Sequence, residues 1–282
     1  MQTTVEPGAT LRALAPLTGF LCVVEARENA AGWIGRDALQ RPDEEPLAAL
    51  LEHVAAPELG PADSRKAASA WFVLRIGWSG GIAIAGYLAL GRVIRIDDYA
   101  LKLPLGRQLE AVCVDRASVC AADGSGDPRE RLLEALVACI EPVLEAQHRW
   151  SGLSRGALWA LAASSWASHF VHMGQQLGDE QRGAREARAL FGLLPHVRRA
   201  APRLFTVASA GLEGVCQVRR ACCRNHRRSG GQYCSSCPLL DEAVRLGRYR
   251  DWVATRPLKR AAGLAFTASD TCSKCTSRAR PV

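Results

Sequence analysis

Two long runs whose apolar residues recur every three and four positions constrain this chain more than any other feature. One is PRERLLEALVACIEPVLEAQHRW, opened by Asp127-Pro128; the other is SRGALWALAASSWASHFVHMGQQL, with Ser154 in position to cap it. That spacing gathers the apolar side chains onto one stripe of a helix, and a proline in the first turn gives up no intrahelical hydrogen bond. A third helical pattern covers about 179–194 with Pro195 closing it. Shorter ones lie at 9–26, at 44–56 and in DEAVRLGRYRDWVATRPLKR. Between them, GRVIRIDDYALKLPLGRQLEAVCVDRASVCAADGSGD carries two or three β segments, marked by alternation in LEAVCVD and by glycine-rich ends. The class this predicts is α+β: a predominantly helical body with a small sheet and a cysteine-rich module near the C-terminus. The expected divisions are an N-terminal region (1–63), a helical and β body (64–205), the cysteine module (206–240), and a short helix with a tail (241–282).

From Ser64 to Leu90 the chain is apolar, SRKAASAWFVLRIGWSGGIAIAGYLAL. Arg75 sits in the middle of this run and Gly77, Gly80 and Gly81 interrupt it. Buried core helices are therefore expected in place of a membrane span, where a charge is costly. Inside the run, Gly77-Trp78-Ser79-Gly80-Gly81 fits G-x-S-x-G, with a strand-like WFVLRI before it and an apolar, helix-like stretch after it. That is the context of a hydrolase nucleophile elbow, so a serine hydrolase using Ser79 is one alternative. Against it, little chain precedes Ser79 to build the earlier strands, and the downstream His169 and His172 fall inside a helical pattern.

The composition, 48% hydrophobic and 23% charged over 282 residues, suits one large globular domain or two modest ones. The N-terminal MQTTVEPGATLRALAPL lacks a basic segment followed by a clean apolar run, so no secretory signal is expected and the location predicted is cytoplasmic. In that setting eleven cysteines point to metal or redox chemistry more than to a disulfide framework. A net charge of +8 and a pI near 9.1 suggest nucleic acid, an anionic membrane surface or acidic small molecules as partners. Aromatic residues are only 6% and do not interleave with the basic ones, which speaks against single-strand binding.

The cysteines concentrate in CCRNHRRSGGQYCSSC, residues 222–237. Cys234-Ser-Ser-Cys237 is a tight chelating turn, with two residues between the ligands letting both sulfurs face one ion. Cys222 and Cys223 are adjacent, and adjacent side chains diverge by roughly 100° on a helix or 180° on a strand. A flat two-iron cluster presents separated ligand positions and accepts diverging sulfurs more readily than a single ion does. Four thiolates suit either a [2Fe–2S] cluster or structural zinc. The zinc alternative is a metal-stabilised binding module, with nucleic acid as one candidate partner. Arg219, Arg220, Arg224, Arg227 and Arg228 crowd the same segment. Guanidinium groups there would raise the potential of an anionic cluster and attract an anionic iron complex. Gly230-Gly231 would supply the turn back to Cys234. Cys272-Ser-Lys-Cys275 is a second chelating turn in the tail, Cys22, Cys113, Cys120 and Cys139 lie on apolar stretches, and Cys216 stands close to the module.

RRACCRNHRRSGGQYCSSCPLL resembles the C-terminal motif of the FhuF-type ferric-siderophore reductases: adjacent cysteines, ten residues, then Cys-x-x-Cys and a proline. RNHRRSGGQY supplies the ten, and Pro238-Leu239 follows. GALWALAASSWAS at 156–168 is similar, less specifically, to the tryptophan-containing helix of that family. One departure is the polar Arg224-Asn225-His226, where the pattern has more apolar or aromatic character. The resemblance implies a [2Fe–2S] cluster on Cys222, Cys223, Cys234 and Cys237, and reduction of siderophore-bound Fe(III) to Fe(II) in the cytoplasm. Siderophores hold Fe(III) through hard oxygen ligands and bind the softer Fe(II) far more weakly, so one electron releases the metal. The partners expected are a ferric siderophore and a separate electron donor, whether a reductase, a ferredoxin or a small reductant. No G-x-G-x-x-G fingerprint for a bound nicotinamide is visible, and no nucleic acid is expected. Delivery of substrate from an importer would make peripheral association with the inner face of the membrane sensible.

Overall fold

The computed structural model describes residues 7–18, 21–24, 33–102, 111–115, 119–121 and 126–256. The first half runs α1 (Pro7–Thr18), β1 (Leu21–Val24), β2 (Trp33–Gly35), α2 (Leu47–His53), α3 (Pro61–Ile76), α4 (Gly81–Leu90), β3 (Ile94–Ile96), β4 (Tyr99–Lys102), β5 (Ala111–Asp115) and β6 (Val119–Ala121). The second half runs α5 (Pro128–Ser151), α6 (Arg155–Gln176), α7 (Glu180–Gly192), α8 (Pro195–Ala200), β7 (Arg203–Ser209), β8 (Leu212–Val218) and α9 (Glu242–Thr255). Helix predominates and the sheets are small, so the α+β class holds.

Both long periodic runs fold as helices with the caps their sequences supply. The Asp127 carboxylate accepts from the Arg129 N–H at the start of α5, and the Ser154 hydroxyl accepts from the Ala157 N–H at the start of α6. Along most of its length α6 buries every side of itself, from Leu158, Leu161 and Trp166 to Phe170. A helix apolar all round belongs in the centre of a bundle, and α3, α4, α5, α7 and α8 pack around this one. At the α6–α7 crossing a side chain on Gly183 would run into the Phe170 carbonyl, so only glycine allows that approach.

Four strands form one mixed sheet in the order β1-β5-β4-β2, with β1 parallel to β5 and the other pairs antiparallel. The β3–β6 and β7–β8 pairs are separate antiparallel ribbons.

Several local expectations are corrected. The helix expected over 9–26 stops at Thr18, and Leu21–Val24 instead pairs with β5, which tertiary pairing decides against local pattern. The strand-like WFVLRI is the C-terminal half of α3, and the β-rich stretch after it holds four strands. Pro195 opens α8 at a position where its missing N–H is harmless, and 203–218, which carried no strand expectation, is a hairpin. The run 61–90 is long and apolar enough to cross a membrane, yet 67% of its most apolar window is buried within the protein, broken by a 3-10 turn at Gly77–Gly80.

Candidate metal centre

The cysteine loop leaves the body at the end of β8 and returns at the start of α9. Its two ends are tied together because the Arg219 N–H donates to the Ser236 carbonyl at 2.9 Å. Cys222 and Cys223 are therefore brought opposite the Cys234–Cys237 turn, which is closed by the Cys237 N–H donating to the Cys234 carbonyl at 2.9 Å. Divergence of the adjacent pair is resolved by Arg224, whose φ of 61° is left-handed and turns the chain immediately after the cysteines. That turn aims the Arg224 N–H at the Cys222 sulfur, 3.3 Å away. The polar residues that depart from the family pattern knit the loop internally. His226 stacks on Tyr233 at 4.4 Å, and Asn225 Nδ2 donates to the Gln232 carbonyl at 3.3 Å. Gly230 is left-handed, and Gly231 lies so close to the Asn225 carbonyl that a side chain has no room.

The sulfurs form two nested pairs. Cys222 Sγ lies 3.7 Å from Cys237 Sγ, and Cys223 Sγ lies 3.9 Å from Cys234 Sγ. Two thiolates on one tetrahedral metal, with bonds of about 2.3 Å, stand about 3.8 Å apart. Each pair thus has the separation of two ligands on one ion. Among the described residues no group of three or more His, Cys, Asp or Glu converges on a position for a single ion.

Arg219 supplies the positive charge of the site. It is 6% exposed, its Nη2 lies 3.5 Å from Cys223 Sγ, and the same nitrogen contacts Cys234 Sγ. Burial works against its charge, but the Cys223, Cys234 and Cys237 sulfurs outweigh burial and hold its pKa up. Cys223 is pushed well below the usual thiol range by hydrogen bonds from Cys222 and Cys234, with Arg219 assisting. Cys222 and Cys234 are pushed up, chiefly by sharing their protons with Cys223 and then by burial. Negative charge is thus favoured on Cys223, beside a buried guanidinium.

The other arginines do different work from the one expected. Arg224 and Arg227 converge on the Asp63 carboxylate of α3 at 2.7 and 2.9 Å, which holds that carboxyl below its usual range. Arg228 donates to the Ala55 carbonyl at 3.4 Å, and the Ser229 N–H to Glu58 Oε1 at 2.8 Å. Arg220 points away, its Nε directed to the Ala201 carbonyl at 3.4 Å. Of the five, Arg219 touches sulfur, and Arg224, Arg227 and Arg228 clamp the loop to the body. Two further residues belong to the site. Arg245 of α9, itself buried, donates to the carbonyls of Cys237 and Leu240 at 2.9 and 2.5 Å. Arg75 of α3, lying 3.8 Å over the Trp71 ring, is pushed down to about 10 by burial while Cys223 pulls it back up. Its only sequence signal was a charge inside an apolar run.

The remaining candidates lie elsewhere. Ser79 is 1% exposed, donates to the Ile76 carbonyl at 2.8 Å and follows a helix, so the strand–turn–helix elbow is not formed. His169 is buried edge-on to Trp78 with ring centroids 5.1 Å apart, while His172 lines a surface cleft. Cys113, Cys139 and Cys216 are buried, and burial pushes the Cys216 thiol up to about 12. Cys272 and Cys275, and the side chains of Cys22 and Cys120, lie outside the described residues.

The cleft, about 340 Å³, lies between α6, β7, β8 and α9 and reaches the cysteine turn itself through Ser235 and Ser236. Trp252, Tyr249, Gln217, Ser168 and His172 also face it, and no Asp, Glu, Lys or Arg does. Compared with models of known protein families, the chain matches none, and no curated protein matches it significantly.

Proposed function

We propose that this chain is a [2Fe–2S] oxidoreductase of the FhuF type that reduces siderophore-bound Fe(III) to Fe(II). The observation that carries the reading is the pair of nested sulfur separations, 3.7 and 3.9 Å. They suit one iron on Cys222 and Cys237 and another on Cys223 and Cys234, with the Cys222–Cys223 contact joining the two pairs. When bound, the cluster supplies one-electron transfer, the step that weakens a hard-oxygen iron complex.

The chain's own residues do the rest. Arg219 offsets the charge of the thiolates, and the Arg224 N–H hydrogen-bonds the Cys222 sulfur. Asp63, Arg245 and the glycine turn hold the loop in register with the body. The cleft beside Ser235 and Ser236 gives a ferric complex its approach. Its neutral lining lets apolar arms of the ligand rest on Trp252 and Tyr249 while the metal end faces the turn.

The test is a visible spectrum of anaerobically purified protein, with iron, sulfide and zinc assayed on the same sample. Charge-transfer bands with about two irons and two sulfides per chain, and ferrous iron released from a ferric siderophore by the reduced protein, are the expected results. A colourless protein that carries about one zinc and takes up no cluster on reconstitution overturns the reading.

A further inference from the structure

Resting on that redox reading, we propose that Arg188, Arg198, Arg199 and Arg220 form the docking face for an acidic one-electron carrier protein. All four are exposed. They surround one short segment, α8 and the start of β7. Arg199 Nε donates to the Pro195 carbonyl at 3.3 Å, Arg220 Nε to the Ala201 carbonyl at 3.4 Å, and Arg188 Nη2 to the Leu204 carbonyl at 3.1 Å. Arg198 occupies the last turn of α8 between them.

The carboxylates that could neutralise this face are engaged with other arginines. Asp179 pairs with Arg185, Glu180 with Arg256, Glu186 with Arg129 and Glu242 with Arg203. Among the described residues no carboxylate lies within ion-pair distance of the four, so no described carboxylate offsets their charge. Leu193, 37% exposed, leads into α8 and gives the face an apolar point among the guanidinium groups. An apolar contact ringed by charge of one sign suits a weak, electrostatically steered complex with a partner of opposite sign.

Position selects the partner. Arg220 adjoins Arg219, whose guanidinium touches the Cys223 and Cys234 sulfurs. A protein bound over Arg220, whose side chain turns to the Ala201 carbonyl, therefore sits against the chain segment that leads into the cysteines. A membrane or a nucleic acid gains nothing from that neighbourhood, whereas an electron donor requires it. The transfer balances simply: the carrier gives up one electron and is oxidised, and the ferric iron takes it and becomes ferrous. None of the four arginines lines the cleft, which meets this face at Leu204, whose carbonyl accepts from Arg188, so donor and ferric complex can be bound side by side.

The experiment uses the full chain and an acidic [2Fe–2S] ferredoxin as probe, with affinity measured at low and high salt. Arg198→Glu/Arg199→Glu should weaken binding by about tenfold or more at low salt and slow electron delivery from reduced ferredoxin in parallel. Reduction of the same variant by dithionite should be unchanged. Arg41→Glu/Arg95→Glu, an equal charge change elsewhere on the surface, should bind nearly as the parent does. Equal losses in both double variants, or preferential binding of phosphatidylserine vesicles or duplex DNA over ferredoxin, would overturn the proposal. Iron and sulfide content on the same samples separates the two failures. Protein that holds no cluster sinks the redox reading, and cluster-loaded protein that ignores ferredoxin sinks the docking face alone.

Discussion

Arg219 places a guanidinium in a nearly water-free position against the sulfurs of Cys223 and Cys234. A buried cation there stabilises added negative charge, and a charge-assisted hydrogen bond is worth about 1.5–3 kcal/mol. For one electron that is roughly 65–130 mV. Arg219→Met should lower the midpoint potential by that order while iron and sulfide content is kept, with Arg219→Lys falling between; a redox titration followed by electron paramagnetic resonance reads both. His169 gives a second prediction. Burial first, and then His172, push it down to about 3, so the folded state refuses a proton that the unfolded chain accepts at its ordinary 6.5. The unfolded state binds more protons, so stability rises with pH: it is nearly complete above pH 6.5 and is lost as pH falls toward 3. Between pH 7 and 5 this amounts to about 2 kcal/mol. Urea unfolding at several pH values should show the slope, and His169→Gln should flatten it. The four cysteines were legible because an adjacent pair and a Cys-x-x-Cys turn on one loop leave a local spacing. Arg75, Asp63 and Arg245 were not, because nothing in a linear chain indicates which distant charge will face a given sulfur.

At the scale of the element, the cysteine loop has little regular structure and depends on two devices. One is the glycine turn, where a side chain on Gly231 collides with the Asn225 carbonyl. Gly231→Ala should prevent the loop from closing, so that the purified protein loses most of its bound iron while its helical circular dichroism stays close to the parent's. The other is the Asp63 clamp on Arg224 and Arg227, which joins the loop to a helix far earlier in the chain. Elements were legible where periodicity was long and capped, as in α5 and α6. They were misread where a few residues had to choose between neighbours. Leu21–Val24 continues a helical pattern but takes up β5 as a partner, and the apolar, β-prone WFVLRI stays helical because α3 is buried against α5 and α6.

For the whole molecule, the main apolar cluster, built by α1 to α8 and the strands, includes none of the four cysteines among its buried residues; Cys223 packs against its edge, and Cys237 is buried outside it. On the proposed cluster reading, stripping iron with a chelator under reducing conditions should therefore leave far-ultraviolet circular dichroism nearly intact. Trypsin should then cut first at Arg224, Arg227 or Arg228, and parallel collapse of the helical signal would show that body and loop fold as one unit. The sequence by itself determined the helical body, its main caps and the four thiols, because 3.6-residue periodicity, capping chemistry and ligand spacing act over a few residues. Only the tertiary structure decided that the sulfurs pair as Cys222 with Cys237 and Cys223 with Cys234, and that of the five arginines it is Arg219 whose guanidinium reaches them. It also decided that a neutral cleft opens beside Ser235 and Ser236. Those outcomes depend on distances between residues far apart in the chain, which are set by packing that no local pattern encodes.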